Sequence, residues 1–261
     1  NIILHSLGFI SFLSFYFFNK KFLTREIKKL SFLLIILLIG IYIFKNHDDF
    51  PYYHFVYTYN LTQFDLNVGI GQFNHGFRTP SSIFYINSLF YLPFINYFSF
   101  NFAAVFVLAF SNIILLKKIG IGYSKNFFYL ERDINYKKKI IFFSLLSLIF
   151  VNIFFYRIGE HGTDRSAQIL IMLLVVEVMI ALSKKSLDEY LNLKIYTLII
   201  FIISLKAFYI LYLLILIPVY IQYFRKQKLT EFILKNFCKS YLILYLCIFL
   251  LILSTYFFST G

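Results

Sequence analysis

Residues 30–50 read LSFLLIILLIGIYIFKNHDDF, and the fold turns on this stretch. The fifteen residues 30–44 carry no charge. As a helix they rise about 22 Å, short of the roughly 30 Å hydrocarbon core of a bilayer. Lys20, Lys21, Arg25, Lys28 and Lys29 precede the run, and Asp48 and Asp49 follow it. The expectation is a transmembrane helix with a basic near end and an acidic pair at the far interface.

The pattern recurs. Apolar runs cover 2–18, 98–116, 140–156, 167–182 and 241–258, and a longer one at 194–225 is interrupted by Lys206. That last stretch is either one tilted helix or a hairpin of two. Apolar residues make up 60% of the 261 positions and mean hydropathy is +0.77, more apolar surface than a soluble domain of this size covers. Low Gly, Pro and charge exclude fibrous and disordered classes. The fold class expected is all-α: a polytopic transmembrane helical protein of about eight spans, with residues 1–261 forming a single multi-pass membrane domain. The sequence opens without Met inside an apolar run, so a piece of a longer chain is expected.

Charge gives the parity. Of 25 Lys and Arg, segments 19–29, 117–139, 184–194 and 225–239 hold 20, whereas 45–97 and 157–166 hold two each. Basic loops mark the cytoplasmic side. All four basic segments share that side only if the chain turns back near Lys206, which favours the hairpin. The net charge of +13 is then a topology signal, and no motif supports nucleic acid as a partner. The partner that these features imply is the lipid bilayer.

Other features carry less. The 36 Phe and 22 Tyr accompany abundant Ile, Lys and Asn, as in an AT-rich genome. Cys238 and Cys247 sit about 13 Å apart on a continuous helix, too far to bridge. Asn60-Leu61-Thr62 matches a glycosylation sequon. Glu177, inside a span, is read as a helix-packing group.

The reactive groups crowd the outer segments. His47, Asp48, Asp49, His54, His75, Arg78, Arg157, Glu160, His161, Asp164 and Arg165 all fall there. Adjacent carboxylates at an interface repel and lose solvation, which suits one of them to act as a general base; ending a helix in solvent is the plainer alternative. The turn 157–165 is denser in charge than solubility requires. Thr163 or Asp164 is expected to cap a helix starting near Ala167, whose N-terminus beside Arg165 would form an anion site. Thr79-Pro80 reads as the start of an amphipathic helix over 80–94 lying along the membrane surface. His47, Asp48, His54, His75, Glu160 and His161 offer a possible divalent-metal set, but their spacing matches no compact ligand motif, so no cofactor is assigned.

A basic loop, a helix and then an acidic pair opening a long outer loop resembles the GT-C superfamily of multi-pass glycosyltransferases. The resemblance implies transfer of a sugar from a polyprenyl-phosphate-linked donor at the non-cytoplasmic face. It implies Asp48 or Asp49 as catalytic base. Arg78, Arg157, Arg165 and Lys206 are then candidates to hold the departing phosphate, with His54, Glu160, His161 and Asp164 shaping the substrate site. The location expected is a cell membrane, specifically a bacterial inner membrane with the site on the periplasmic side. A transporter or flippase of an amphipathic substrate and an outer-face metal-dependent hydrolase are the alternatives.

The charge split makes a labelling prediction. A membrane-impermeant thiol reagent applied outside should modify cysteines introduced at Asn67 and Gly162 but not at Asn126. Modification at Asn126 alone would invert the orientation.

Overall fold

A computed structural model describes residues 2–43, 45–65, 68–92, 94–123, 134–160, 162–183, 189–224 and 240–260. Among these there is no β-strand. In chain order the helices are α1 (Ile2–Phe18), α2 (Lys20–Ile43), α3 (Phe55–Gln63), α4 (Ser82–Leu89), α5 (Phe102–Tyr123), α6 (Ile134–Phe154), α7 (Thr163–Ser183), α8 (Glu189–Leu205), α9 (Leu216–Phe224) and α10 (Ser240–Thr260). A 3-10 segment, Ala207–Ile215, links α8 to α9. Among the described residues three segments are long and apolar enough to cross a membrane: Asn96–Gly120, Thr163–Ser183 and Leu242–Ser259. Shorter apolar helices lie at Ile3–Phe18, Leu191–Leu205 and Ala207–Gln222.

Contacts between elements show which helix ends lie together. At one end, the His47 amide donates to the Gly159 carbonyl at 3.0 Å, Asn101 to Asn46 at 3.3 Å, and Arg165 to the Phe154 carbonyl at 3.4 Å. The Gly69 amide reaches the Phe258 carbonyl at 2.7 Å at the same end. At the opposite end, Lys117 pairs with Glu26 at 2.6 Å, and Gln222 donates to the Leu182 carbonyl at 2.9 Å. The first is hereafter the site end and the second the basic end. The chain does turn at Lys206: α8 stops at Leu205, Lys206 is extended, and the following residues run back until Gln222 meets the C-terminus of α7.

Helix α7 is the centre. In its spanning window 67% of residues are buried, against 6% for α10, which leaves α10 to be covered by lipid or by further protein. Ala167, Ile169, Leu174, Val176 and Ala181 of α7 are sealed against α5, α6 and α8. A second cluster joins Ile41 of α2 to Val105 and Leu108 of α5, Val151 of α6 and Ile158. In a bilayer such helices associate through packing and polar contacts rather than by escaping water. The polar seam is visible between α5 and α6, where Asn152 donates to Asn112 at 2.6 Å.

Three sequence expectations are corrected. The basic segment 19–29 is not a loop; α2 starts at Lys20, because Lys, Arg, Glu and Leu are all good helix formers. The helix expected over 80–94 is only Ser82–Leu89, with Ser81 in place of Thr79 as its N-cap. It does not present one free face: Ile83, Phe84, Asn87 and Ser88 are buried, and Asn87 accepts from the Ala103 amide at the start of α5. Helix α7 begins at Thr163, so Thr163 and Asp164 form its first turn instead of capping a helix at Ala167.

Lys118 of α5 pairs with Glu177 of α7 at 2.8 Å, and both side chains are nearly enclosed. Removing one member of a buried pair typically costs about 3–5 kcal/mol, whereas replacing both by neutral groups of similar volume is close to neutral. Lys118→Ala should therefore lower the unfolding midpoint in detergent steeply, and Lys118→Met with Glu177→Gln should recover most of it. A Lys118→Ala protein as stable as the parent would remove this pair from the packing account.

Candidate functional site

The site begins with a helical turn that follows α2. Residues 45–47 have no regular secondary structure, and the chain then coils into a π-type turn, Phe50–His54, that runs into α3. Pro51 fits the first turn, where a backbone N–H has no acceptor in any case. Consecutive residues of a helical turn diverge by about 100°. The two carboxylates therefore face different ways. Asp48 pairs with Lys45 at 3.1 Å, both side chains 84% exposed. Asp49 turns inward, with its carboxylate 48% exposed and accepting from the Tyr53 hydroxyl at 3.2 Å.

Asp49 lines a cavity of about 490 Å³ at the site end. That is in the range of small-molecule sites. His47, Tyr53 and His54 share its wall on the Asp49 side, and Thr163, Asp164, Arg165 and Gln168 face them from the first turns of α7. The remaining wall is apolar, from Phe150, Phe154 and Phe155 at the end of α6 and Ile171, Met172 and Tyr212 deeper in. The first outer segment and the turn before α7 thus converge, and the His47–Gly159 backbone bond ties them.

Local chemistry sets the protonation pattern. The Asp49 amide donates to Nδ1 of His47 at 3.1 Å, which leaves the proton of a neutral His47 on Nε2. The Tyr53 hydroxyl is pushed up to about 12, first by burial and then by the adjacent Asp49. It stays a donor to that carboxylate through the neutral range. His54 is 6% exposed and packs between Tyr53, edge-on with ring centroids 4.3 Å apart, and Phe84, tilted at 5.1 Å. Among the described residues its Nε2 has no hydrogen-bond partner. Burial pushes its imidazole down to about 4, outweighing the pull of Asp49 and Asp164. Gly76 and Gly162 make room for these rings. A Cβ at Gly76 would stand 2.4 Å from Tyr53 Cγ, and one at Gly162 would stand 3.0 Å from His54 Cε1. Gly162 is therefore a poor position for an introduced cysteine.

Of the residues read from the sequence, the cavity gathers Asp49, His54, Asp164 and Arg165. Asp48 stays outside, as described. Arg78 is elsewhere, with Nε donating to the Gly71 carbonyl at 3.2 Å beside the end of α10. Arg157 lies on the Tyr156 ring and pairs with Glu160 at 3.1 Å, so neither reaches the cavity wall. Lys206 instead holds Asp164 at 2.7 Å, and Tyr209 donates to the same carboxylate at 3.2 Å. The expectations for His161 and Asn67 fall outside the described residues, as do those for Asn126 and Cys238. Among the described residues no group of three His, Cys, Asp or Glu is placed to hold a metal ion. Sequence reasoning missed Tyr53 and Gln168. Tyr53 lies one turn after Asp49, and Gln168 is a polar residue at the head of a mostly apolar span, so both left a readable signal.

No protein family, no characterised protein and no solved structure matches this chain.

His54 generates a pH prediction. Its folded pKa lies below the unfolded value of about 6.5, so folding favours the neutral ring. Its contribution to stability is whole above pH 6.5 and declines as pH falls toward 4. Thermal unfolding in detergent between pH 7.5 and 4.5 should show a loss that His54→Phe lacks, since Phe has no charge to acquire. If parent and variant fell in parallel over that range, His54 would not be the titrating group.

Proposed function

We propose that this chain is a GT-C-like membrane glycosyltransferase of about eight spans. It moves a sugar from a polyprenyl-phosphate-linked donor to an acceptor at the non-cytoplasmic face, the periplasmic face of a bacterial inner membrane. One observation carries the reading. Asp49 and Arg165 share a cavity whose deeper wall is apolar, so a base, a cation and a surface suited to a prenyl chain lie together. The 20 to 4 division of basic residues supports the orientation.

Asp49 takes the proton from the acceptor hydroxyl, and the freed oxygen attacks the anomeric carbon. The bond from that carbon to the phosphate oxygen breaks, and its electron pair leaves with the lipid phosphate. The guanidinium of Arg165 balances the charge that grows there. Tyr53 orients the Asp49 carboxylate by donating to it, and His47 fixes the Asp49 backbone by accepting from its amide. Asp164 is committed to Lys206, which frees Arg165 from pairing with its own neighbour.

Kinetics on purified protein with a polyprenyl-phosphate sugar test the assignment. Asp49→Asn should lower turnover about 10²- to 10⁴-fold, the usual loss of general-base help, and spare donor binding. Asp48→Asn should stay within a few-fold of the parent. Arg165→Ala should weaken donor affinity along with rate, because its charge meets phosphate in both ground and transition states. Normal turnover in Asp49→Asn would reduce the acidic pair to a helix terminus and overturn the reading.

A further inference from the structure

We propose that an open cleft between α6 and α7 at the basic end binds the phosphate headgroup of an anionic phospholipid, with an acyl chain running along its apolar wall. The cleft has a volume of about 510 Å³. Lys138 and Lys139 stand at its rim, exposed, and Phe142, Phe143, Met179 and Leu182 form the wall. No carboxylate lines it among the described residues.

Three physical points identify the occupant. First, the charge is not balanced by the helices themselves. Antiparallel α6 and α7 bring the half-positive N-terminus of one beside the half-negative C-terminus of the other, and these nearly cancel. Gln222 already donates to the Leu182 carbonyl. The two lysine charges therefore remain for an anion. Second, the depth is that of a headgroup. The cleft meets the last turn of α7, whose 21 residues span about 31 Å, the thickness of a hydrocarbon core, with the candidate site at the other end. Third, the cleft opens sideways onto apolar surface. Phe142 is 61% exposed and continues into exposed Leu145, Leu146 and Ile149 on the same helix. A free phosphate would use the lysines and leave that wall bare, whereas a phospholipid uses both.

The site is separate from the catalytic reading and stands or falls alone. Native mass spectrometry of the whole chain in detergent, with phosphatidylglycerol, phosphatidylcholine or inorganic phosphate added in turn, tests it. Phosphatidylglycerol should be retained in preference to phosphatidylcholine. Lys138→Gln with Lys139→Gln should weaken that retention about 30-fold, near fivefold for each cation at a membrane surface, and leave phosphatidylcholine binding unchanged. Lys138→Arg with Lys139→Arg should bind as the parent does, which separates lost charge from lost fold. Equal retention of the two lipids would overturn the proposal. So would unchanged phosphatidylglycerol binding in the Gln variant, or competition by inorganic phosphate as effective as by the lipid.

Discussion

Helix α7 is held at two levels by charge, and the rest of the architecture arranges itself around that. Asp164 in its first turn meets Lys206, and Glu177 thirteen residues later meets Lys118. Along a helix that separation is about 20 Å. The outer pair lies where water can reach it, with side chains 39% and 45% exposed, whereas the inner pair is almost sealed. Charges at such depth are expensive unless paired. Each pair therefore ties α7 to a different neighbour: the break after α8 at the site end, and α5 nearer the basic end. Lys117, next to Lys118, reaches the other way to Glu26 of α2, so α5 is clamped between two helices by adjacent lysines.

With α7 fixed, the site follows. Its first turn presents Thr163, Asp164 and Arg165 to one side of a cavity, and the coil after α2 presents His47, Asp49 and His54 to the other. The two halves are far apart in sequence and joined by a backbone hydrogen bond from His47 to Gly159. Close ring packing then positions the Asp49 side: Gly76 admits Tyr53, Gly162 admits His54, and Tyr53 reaches back to Asp49. A site built on helix ends and tight aromatic contacts is held more firmly than one on free loops, which is what positioning a base against a bond requires.

The polar ends also differ in kind. At the site end, acids, bases and aromatic rings are mixed and mutually hydrogen-bonded. At the basic end, Lys138 and Lys139 stand over apolar side chains with no lining acid among the described residues. The first arrangement suits chemistry on a bound molecule. The second matches the chemistry of an anionic surface.

The sequence by itself determined the helical class, the apolar runs and the two segments where the reactive groups gather; at Lys206 it left a tilted helix or a hairpin open, with charge parity favouring the hairpin. Those features depend on composition and periodicity, which are local properties of the chain. It left Asp48 and Asp49 equivalent, and it grouped Arg78, Arg157 and Lys206 with Arg165 because all are cations of similar placement along the chain. Only tertiary structure separated them. The phase of one helical turn sends Asp48 out to Lys45 and Asp49 into the cavity. The partners that the fold brings close hold the other cations away from the cavity wall, Gly71 for Arg78, Glu160 for Arg157 and Asp164 for Lys206, whereas Arg165, which donates to the Phe154 carbonyl, lines it. Which charge lines the cavity depends on distances across the bundle, and those are set by how helices remote in sequence pack.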